Sequence, residues 1–316
     1  MAVLQDRLKG CWTSLPTPFA NERIDEVAFG RLVEWQVRHG ACCLVVADEV
    51  GEGTSLTDRE RECLIGIASD VVAGRVPVVA GILTNATDRG LEMIAAARRA
   101  GADAALVTVP YYNKPGQRGI IEHFEALAPG GALPIILQNV PDRTVVEASV
   151  DTLGSLAILP GTLGVLDHDP APHRLVRLRS TLPFGSLILS GNDWNGPLHR
   201  IMGGDGWLSA AAAVLPAYLR ELDCACVQQR WEDAQQRLMT LQPLFDALAL
   251  EPHPATVKYA LGPMGVSGHV RLPLVMASPA AEEAISEAMT PSGCLDAAIQ
   301  RDWIKAFRRP SSPTMP

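Results

Sequence analysis

Short apolar runs alternate with amphipathic stretches along residues 1–228. The runs at 11–15, 42–47, 76–80, 104–109, 134–137, 159–165, 186–189 and 206–209 have strand length and no helical period. Between them, 26–38 sets Phe29, Leu32, Val33 and Val37 on one side, and 58–72 groups Leu64, Ile65 and Ala68. Segment 87–99 repeats Leu91, Ile94 and Ala95 at helical spacing. Thr57-Asp58-Arg59-Glu60 has the form of a capping box, and Gly40 and Gly101 stand where helices should stop. Strands separated by helices pair in parallel, because a parallel neighbour needs a long crossover. Eight such units close a barrel. From Gln229 the pattern turns wholly helical, with candidates at 231–248, 255–261, 280–289 and 294–307. The expected fold is α/β: a (β/α)8 TIM barrel over 1–228 and a C-terminal helical domain over 229–307. The proline- and serine-bearing end, 308–316, reads as a disordered tail.

Composition narrows the partners. A hydrophobic content of 47% in 316 residues supports a large core. The net charge of -8, with no basic stripe, argues against nucleic acid or an anionic membrane surface. No apolar run reaches the roughly 18 residues of a membrane span. Asp6, Arg7 and Lys9 interrupt the start of the chain, unlike a signal peptide. The cysteines (Cys11, Cys42, Cys43, Cys63, Cys224, Cys226 and Cys294) are odd in number and irregular in spacing. They read as reduced thiols of a cytoplasmic protein, without the paired spacing of a zinc site. No phosphate-binding glycine loop is present, so no organic cofactor is expected.

Several segments carry a resemblance. Leu15-Pro16-Thr17-Pro18-Phe19 follows the first strand, and Gly74-Arg75-Val76-Pro77-Val78-Val79-Ala80-Gly81 covers the third. Pro110-Tyr111-Tyr112-Asn113-Lys114-Pro115 and Asn139-Val140-Pro141-Asp142-Arg143-Thr144 end the fourth and fifth. Ser190-Gly191-Asn192-Asp193, Gly203-Gly204-Asp205-Gly206, Glu251-Pro252 and Val257-Lys258 follow. In this order the chain resembles the dihydrodipicolinate synthase/N-acetylneuraminate lyase family, a set of pyruvate-dependent class I aldolase-like enzymes. The resemblance implies a homo-oligomer, dimer or tetramer, with Tyr111 and Tyr112 near the tight contact. It implies a pocket at the C-terminal strand ends, with Arg143 receiving an acidic substrate.

The same resemblance exposes departures. The family lysine that forms a Schiff base with pyruvate is Leu166 here, and the tyrosine before Asn-Val-Pro is Gln138. The family's Gly-Thr-Thr-Gly-Glu is Asp48-Glu49-Val50-Gly51-Glu52, and the threonine after the strand-three glycine is Ile82. Leucine has no amine to attack a carbonyl. Glu49 would repel the pyruvate carboxylate that two hydroxyls once held. The remaining lysines are Lys9, Lys114, Lys258 and Lys305, of which only Lys114 falls near a strand end.

The expected pocket is Glu49, Val50, Ile82, Tyr112, Gln138, Arg143, Leu166, Asp193 and Leu208, more apolar at its base than in active relatives and holding one acid. The expected ligand is a small acid, and the expected protein lacks the Schiff-base activity and serves as a ligand-binding or structural relative. One alternative is a lyase or aldolase of altered mechanism on a small keto acid or related acid, either assisted by a metal or using one carboxylate of raised pKa for acid–base work. Its acidic groups would come from Asp48, Glu49, Glu52, Asp167, His168, Asp169 and Asp193, with Glu49, Asp167 and Asp193 as the metal candidates. A lesser alternative is residual synthase-like lyase activity. His39, His123, His199, His253 and His269 read as surface or packing residues, and Trp194 as packing.

Overall fold

The computed structural model describes residues 2–128 and 133–289. The eight expected strands all form, as β1 (Gly10–Ser14), β2 (Leu44–Val46), β3 (Val78–Ile82), β4 (Ala104–Thr108), β5 (Ile135–Asn139), β6 (Thr162–Asp167), β7 (Leu187–Ser190) and β8 (Gly206–Ser209). Each pairs in parallel with its neighbour in sequence, and β8 closes on β1 with Leu208 opposite Trp12. Helices Glu26–Arg38, Asp58–Val72 and Thr87–Arg99 occupy the predicted segments. The capping box is made: Thr57 Oγ1 accepts from the Glu60 N–H, and the Glu60 carboxylate accepts from the Thr57 N–H at 2.9 Å. Gly40 and Gly101 take φ of 85° and 97°, which only glycine adopts cheaply. The pattern did not announce helix Ala2–Arg7 or the short hairpin of Phe19–Ala20 with Arg23–Ile24.

Alternation along the strands splits the core in two. Val45, Val79, Leu106, Ile136, Leu166 and Leu189 fill the barrel interior with Trp12 and Leu208. Val46, Ala80, Ile82, Val107, Leu137 and Val165 pack outward beneath the helices. Trp231–Leu248, His253–Ala260 and Pro279–Ala288 follow the barrel as helices. The expected helix at 294–307, the tail at 308–316, Cys294 and Lys305 lie outside the described residues. The other six cysteines are free thiols. Among the described residues, no helix is long and apolar enough to cross a membrane.

Candidate active site

A cavity of about 380 Å³ opens at the C-terminal ends of the strands, the face where such barrels carry their sites. Its floor comes from the barrel, with Ser14, Gln138, His168 and Leu208. Trp194 from the segment after β7, and Phe245, Leu248 and His253 from the C-terminal helices, form an upper wall. Trp194 and Phe245 meet edge to face at 5.7 Å.

The segment after β2 delivers the acids. Ala47 and Glu52 both hold positive φ, at 59° and 55°, which folds the connection tightly. Gly81 makes room for it, since a Cβ there would lie 2.6 Å from the Asp48 Cα. Asp48 is 2% exposed; its carboxylate accepts from Ser14 Oγ at 2.5 Å and from the Gly51 N–H at 3.1 Å. Burial pushes its pKa up to about 7, against the pull of those two hydrogen bonds.

Glu49 turns the other way and joins Arg143 and His253. Arg143 Nη2 donates to Glu49 Oε1, and His253 Nδ1 lies 3.3 Å from the same oxygen. Burial opposes ionisation of Glu49. The hydrogen bond from His253 and the charges of Arg143, His253 and His168 outweigh it and bring the pKa down to about 2. Burial likewise pulls His253 down, but Glu49 and then Asp193 lift it above its ordinary value.

On the other side, Thr108 Oγ1 donates to Gln138 Oε1 at 2.6 Å, and Gln138 Nε2 donates to His168 Nε2 at 3.2 Å. That chain leaves the His168 proton on Nδ1, and burial keeps the ring neutral by lowering its pKa. The ring lies against Gly191, where any Cβ would overlap it. Asp193 accepts from the Ala210 and Ala211 N–H groups, both at 3.1 Å, and burial raises its pKa.

The cavity gathers Glu49, Val50, Gln138, Arg143, Asp193 and Leu208 from the expected set, together with Asp48 and His168. Three expected residues lie elsewhere. Leu166 is fully buried in the barrel interior, beside Gln138 in register, and does not line the cavity. Ile82 points outward, because strand alternation gives the lumen to Val79 and Gly81 rather than to Ile82. Tyr112 is 88% exposed at a φ of 64°, outside this cavity. Ser14, Asp48, Gln138 and His168 stand at the base of the cavity beside Leu208.

The metal trio is not assembled. Asp167 follows Leu166 by one position and so faces outward, where Arg174 Nε and Asn139 Nδ2 donate to it. Asp169 turns to the Ala171 N–H at 2.8 Å. Glu52 points away from the mouth into a buried ion pair with Lys258. Among the described residues, no group of three or more histidine, cysteine or acidic side chains is placed to hold a metal ion. His253 corrects the sequence reading in the other direction, because it belongs to the cavity rather than to surface or packing. His253 is the first residue of its helix, between Pro252 at the N-cap and Pro254 in the first turn.

Similarity to known proteins agrees with this architecture. The pattern of the Dihydrodipicolinate synthetase family matches residues 7–291. The 4-hydroxy-tetrahydrodipicolinate synthase of Rhizobium meliloti is 39% identical over 289 residues, covering 91% of this chain and 99% of its own. That of Hyphomonas neptunium is also 39% identical, covering 90% and 98%. The crystal structure of dihydrodipicolinate synthase from Aquifex aeolicus superposes with a TM-score of 0.87 at 36% identity, covering 89% of this chain and 97% of its own. A monomeric dihydrodipicolinate synthase variant superposes at 0.89 with 32% identity, covering 92% and 99%. Eight parallel strands in family order, a helical C-terminal region over the mouth and near-complete sequence coverage converge: the chain belongs to the dihydrodipicolinate synthetase family.

Proposed function

We propose that this chain binds a small carboxylic acid at the mouth of its barrel and forms no Schiff base with pyruvate. One observation carries the reading: among the described residues, the cavity is lined by Arg143 but by no lysine. Lys9 pairs with Asp6 near the N-terminal end of β1, Lys114 is exposed, and Lys258 is buried against Glu52. An iminium needs an amine within reach of the carbonyl, whereas a carboxylate needs only the Arg143 fork. The synthase activity named for the relatives is therefore not assigned to this chain. It would act as a ligand-binding member of the family, in the cytoplasm. As a homo-oligomer it would cover the exposed Tyr112.

A second reading, acid–base chemistry on the bound acid, is favoured by Asp48 and His168. One carboxyl with a pKa near 7 and one neutral imidazole share a cavity, an arrangement suited to proton transfer near neutrality. One experiment addresses both readings. Pyruvate is incubated with the protein in D2O, part of the sample is reduced with borohydride for intact mass, and the rest is followed by proton NMR. No covalent adduct is expected. An adduct on any lysine overturns the first reading, and enzyme-dependent loss of the pyruvate methyl signal establishes the second.

A further inference from the structure

The Arg143 fork is already in use. Glu49 engages it through a single oxygen, Oε1, bonded to Nη2. Among the described residues the Arg143 guanidinium has no other hydrogen-bond or ion-pair partner, and the side chain is 48% exposed. A free carboxylate can meet a guanidinium through two parallel N–H bonds, which this one-point contact does not achieve. Glu49 also has somewhere to go: His253 Nδ1 lies 3.3 Å from the same oxygen. The backbone on either side is pinned, with the Glu52 N–H donating to the Glu49 carbonyl at 3.1 Å and Gly53 N–H to the Asp48 carbonyl at 2.8 Å. Exchange therefore asks only for a side-chain rotation.

We propose that Glu49 is a built-in occupant of the Arg143 anion subsite, and that a ligand carboxylate enters by displacing it onto His253. The proposal rests on the small-acid reading above and narrows it. The ligand is a small mono- or dicarboxylate whose acid group docks on Arg143. Its remainder faces Asp48, Gln138 and His168 and so carries hydroxyl or carbonyl oxygen rather than a bulky apolar chain.

Proton uptake should accompany entry. Glu49 faces Arg143, His253, His168 and its neighbour Asp48, while His253 faces Glu49, Asp193, Arg143 and His168. Once Arg143 is given to the ligand, the Glu49 charge falls on His253 alone. The ligand's own charge adds to that of Asp48 and Asp193. Both changes favour the protonated forms of His253 and Asp48. Binding is thus stronger below neutrality and weakens as the pH rises, because the proton must then be taken from solvent.

The test is calorimetric titration of pyruvate and of succinate into the wild type, Glu49→Gln and Arg143→Met. Titrations run at pH 6 and pH 8, each in two buffers of different ionisation heat. The wild type should bind more weakly at pH 8 and take up protons there. Glu49→Gln should bind roughly fivefold more tightly at pH 8, the scale of a partly exposed ion pair, with less proton uptake. Arg143→Met should lose binding at both pH values. Unchanged or weaker binding by Glu49→Gln, with Arg143→Met still inactive, overturns displacement and leaves the small-acid reading standing. Failure of both acids to bind wild type and Glu49→Gln alike removes the reading and the proposal together.

Discussion

Glu49 and Glu52 stand three residues apart on one turn, and one helix, His253–Ala260, reaches both. The outcomes differ. Glu52 meets Lys258 with both side chains fully buried, and its other oxygen accepts from the Arg271 N–H at 2.9 Å. Lys258 Nζ also donates to the His269 carbonyl at 2.7 Å and sits 4.3 Å from the centre of the Phe19 ring. Every strong partner there is internal, and neither side chain borders the mouth cavity. Glu49 meets His253 and Arg143 at a cavity wall, with side chains 16%, 34% and 48% exposed. The same pairing of charges is thus a permanent clasp in one place and an exchangeable contact in the other. What separates them is whether water or a ligand can substitute for the partner.

The clasp should respond most to damage. Lys258→Met keeps the length of the side chain and strands the Glu52 carboxylate in the interior, a loss of about 3–5 kcal/mol in urea unfolding. Adding Glu52→Gln should recover at least half of it, since a neutral amide oxygen can still accept from Arg271. A loss below roughly 1 kcal/mol for Lys258→Met would mean that water reaches the pair, and the contrast with Glu49 would collapse.

Asp48 supplies the next largest effect, because it sits between the two regimes, buried like Glu52 but bordering the cavity. Its folded pKa of about 7 lies above the ordinary 3.8. Between those values the folded chain keeps a proton that the unfolded chain has lost, so stability falls as pH rises through that window. Asp48→Asn removes the charge and retains an acceptor for the Gly51 N–H. It should leave stability near pH 4 little changed and raise it by about 2 kcal/mol or more at pH 8, read from urea midpoints. Equal midpoint shifts at both pH values would show that folding leaves the Asp48 pKa where it is in the unfolded chain.

Much of this was legible in the chain, for reasons that differ by level. The strands were, because each short apolar run is followed by a helix long enough to cross back over the sheet. Glu49, Val50, Gln138 and Arg143 were placed in the mouth by the resemblance, which fixes position without fixing conformation. Ile82 and Asp167 were misplaced although the cue was present: with Leu166 inside, alternation sends Asp167 outside, and with Gly81 inside it sends Ile82 outside. Tyr112 was expected near an oligomer contact as well as in the pocket, and a single chain leaves it exposed outside its own cavity. His253 was hardly readable at all. Its partner Glu49 lies in a distant part of the chain, and which face of a C-terminal helix meets the barrel is decided by packing across the whole domain.

His253 gives the smallest expected effect and the finest test of exchangeability. Its folded pKa is raised above the ordinary 6.5 mainly by Glu49, so its contribution is full below about pH 6.5 and fades as pH climbs through the raised value. Glu49, held near 2 against an ordinary 4.5, contributes fully above about pH 4.5 and loses its share as pH falls toward 2. Stability from the pair therefore has a plateau between roughly pH 4.5 and 6.5. His253→Gln should erase the alkaline decline and keep the acid one, because Arg143 still holds Glu49. With His253 about a third exposed, solvent screens the interaction and the cost on the plateau should be about 0.5 kcal/mol. A cost of 3 kcal/mol or more, measured in urea at pH 5.5, would be the signature of a permanent clasp. The mouth pair would then be structural like Lys258 with Glu52, and a ligand could not displace Glu49 from Arg143 without unfolding part of the wall.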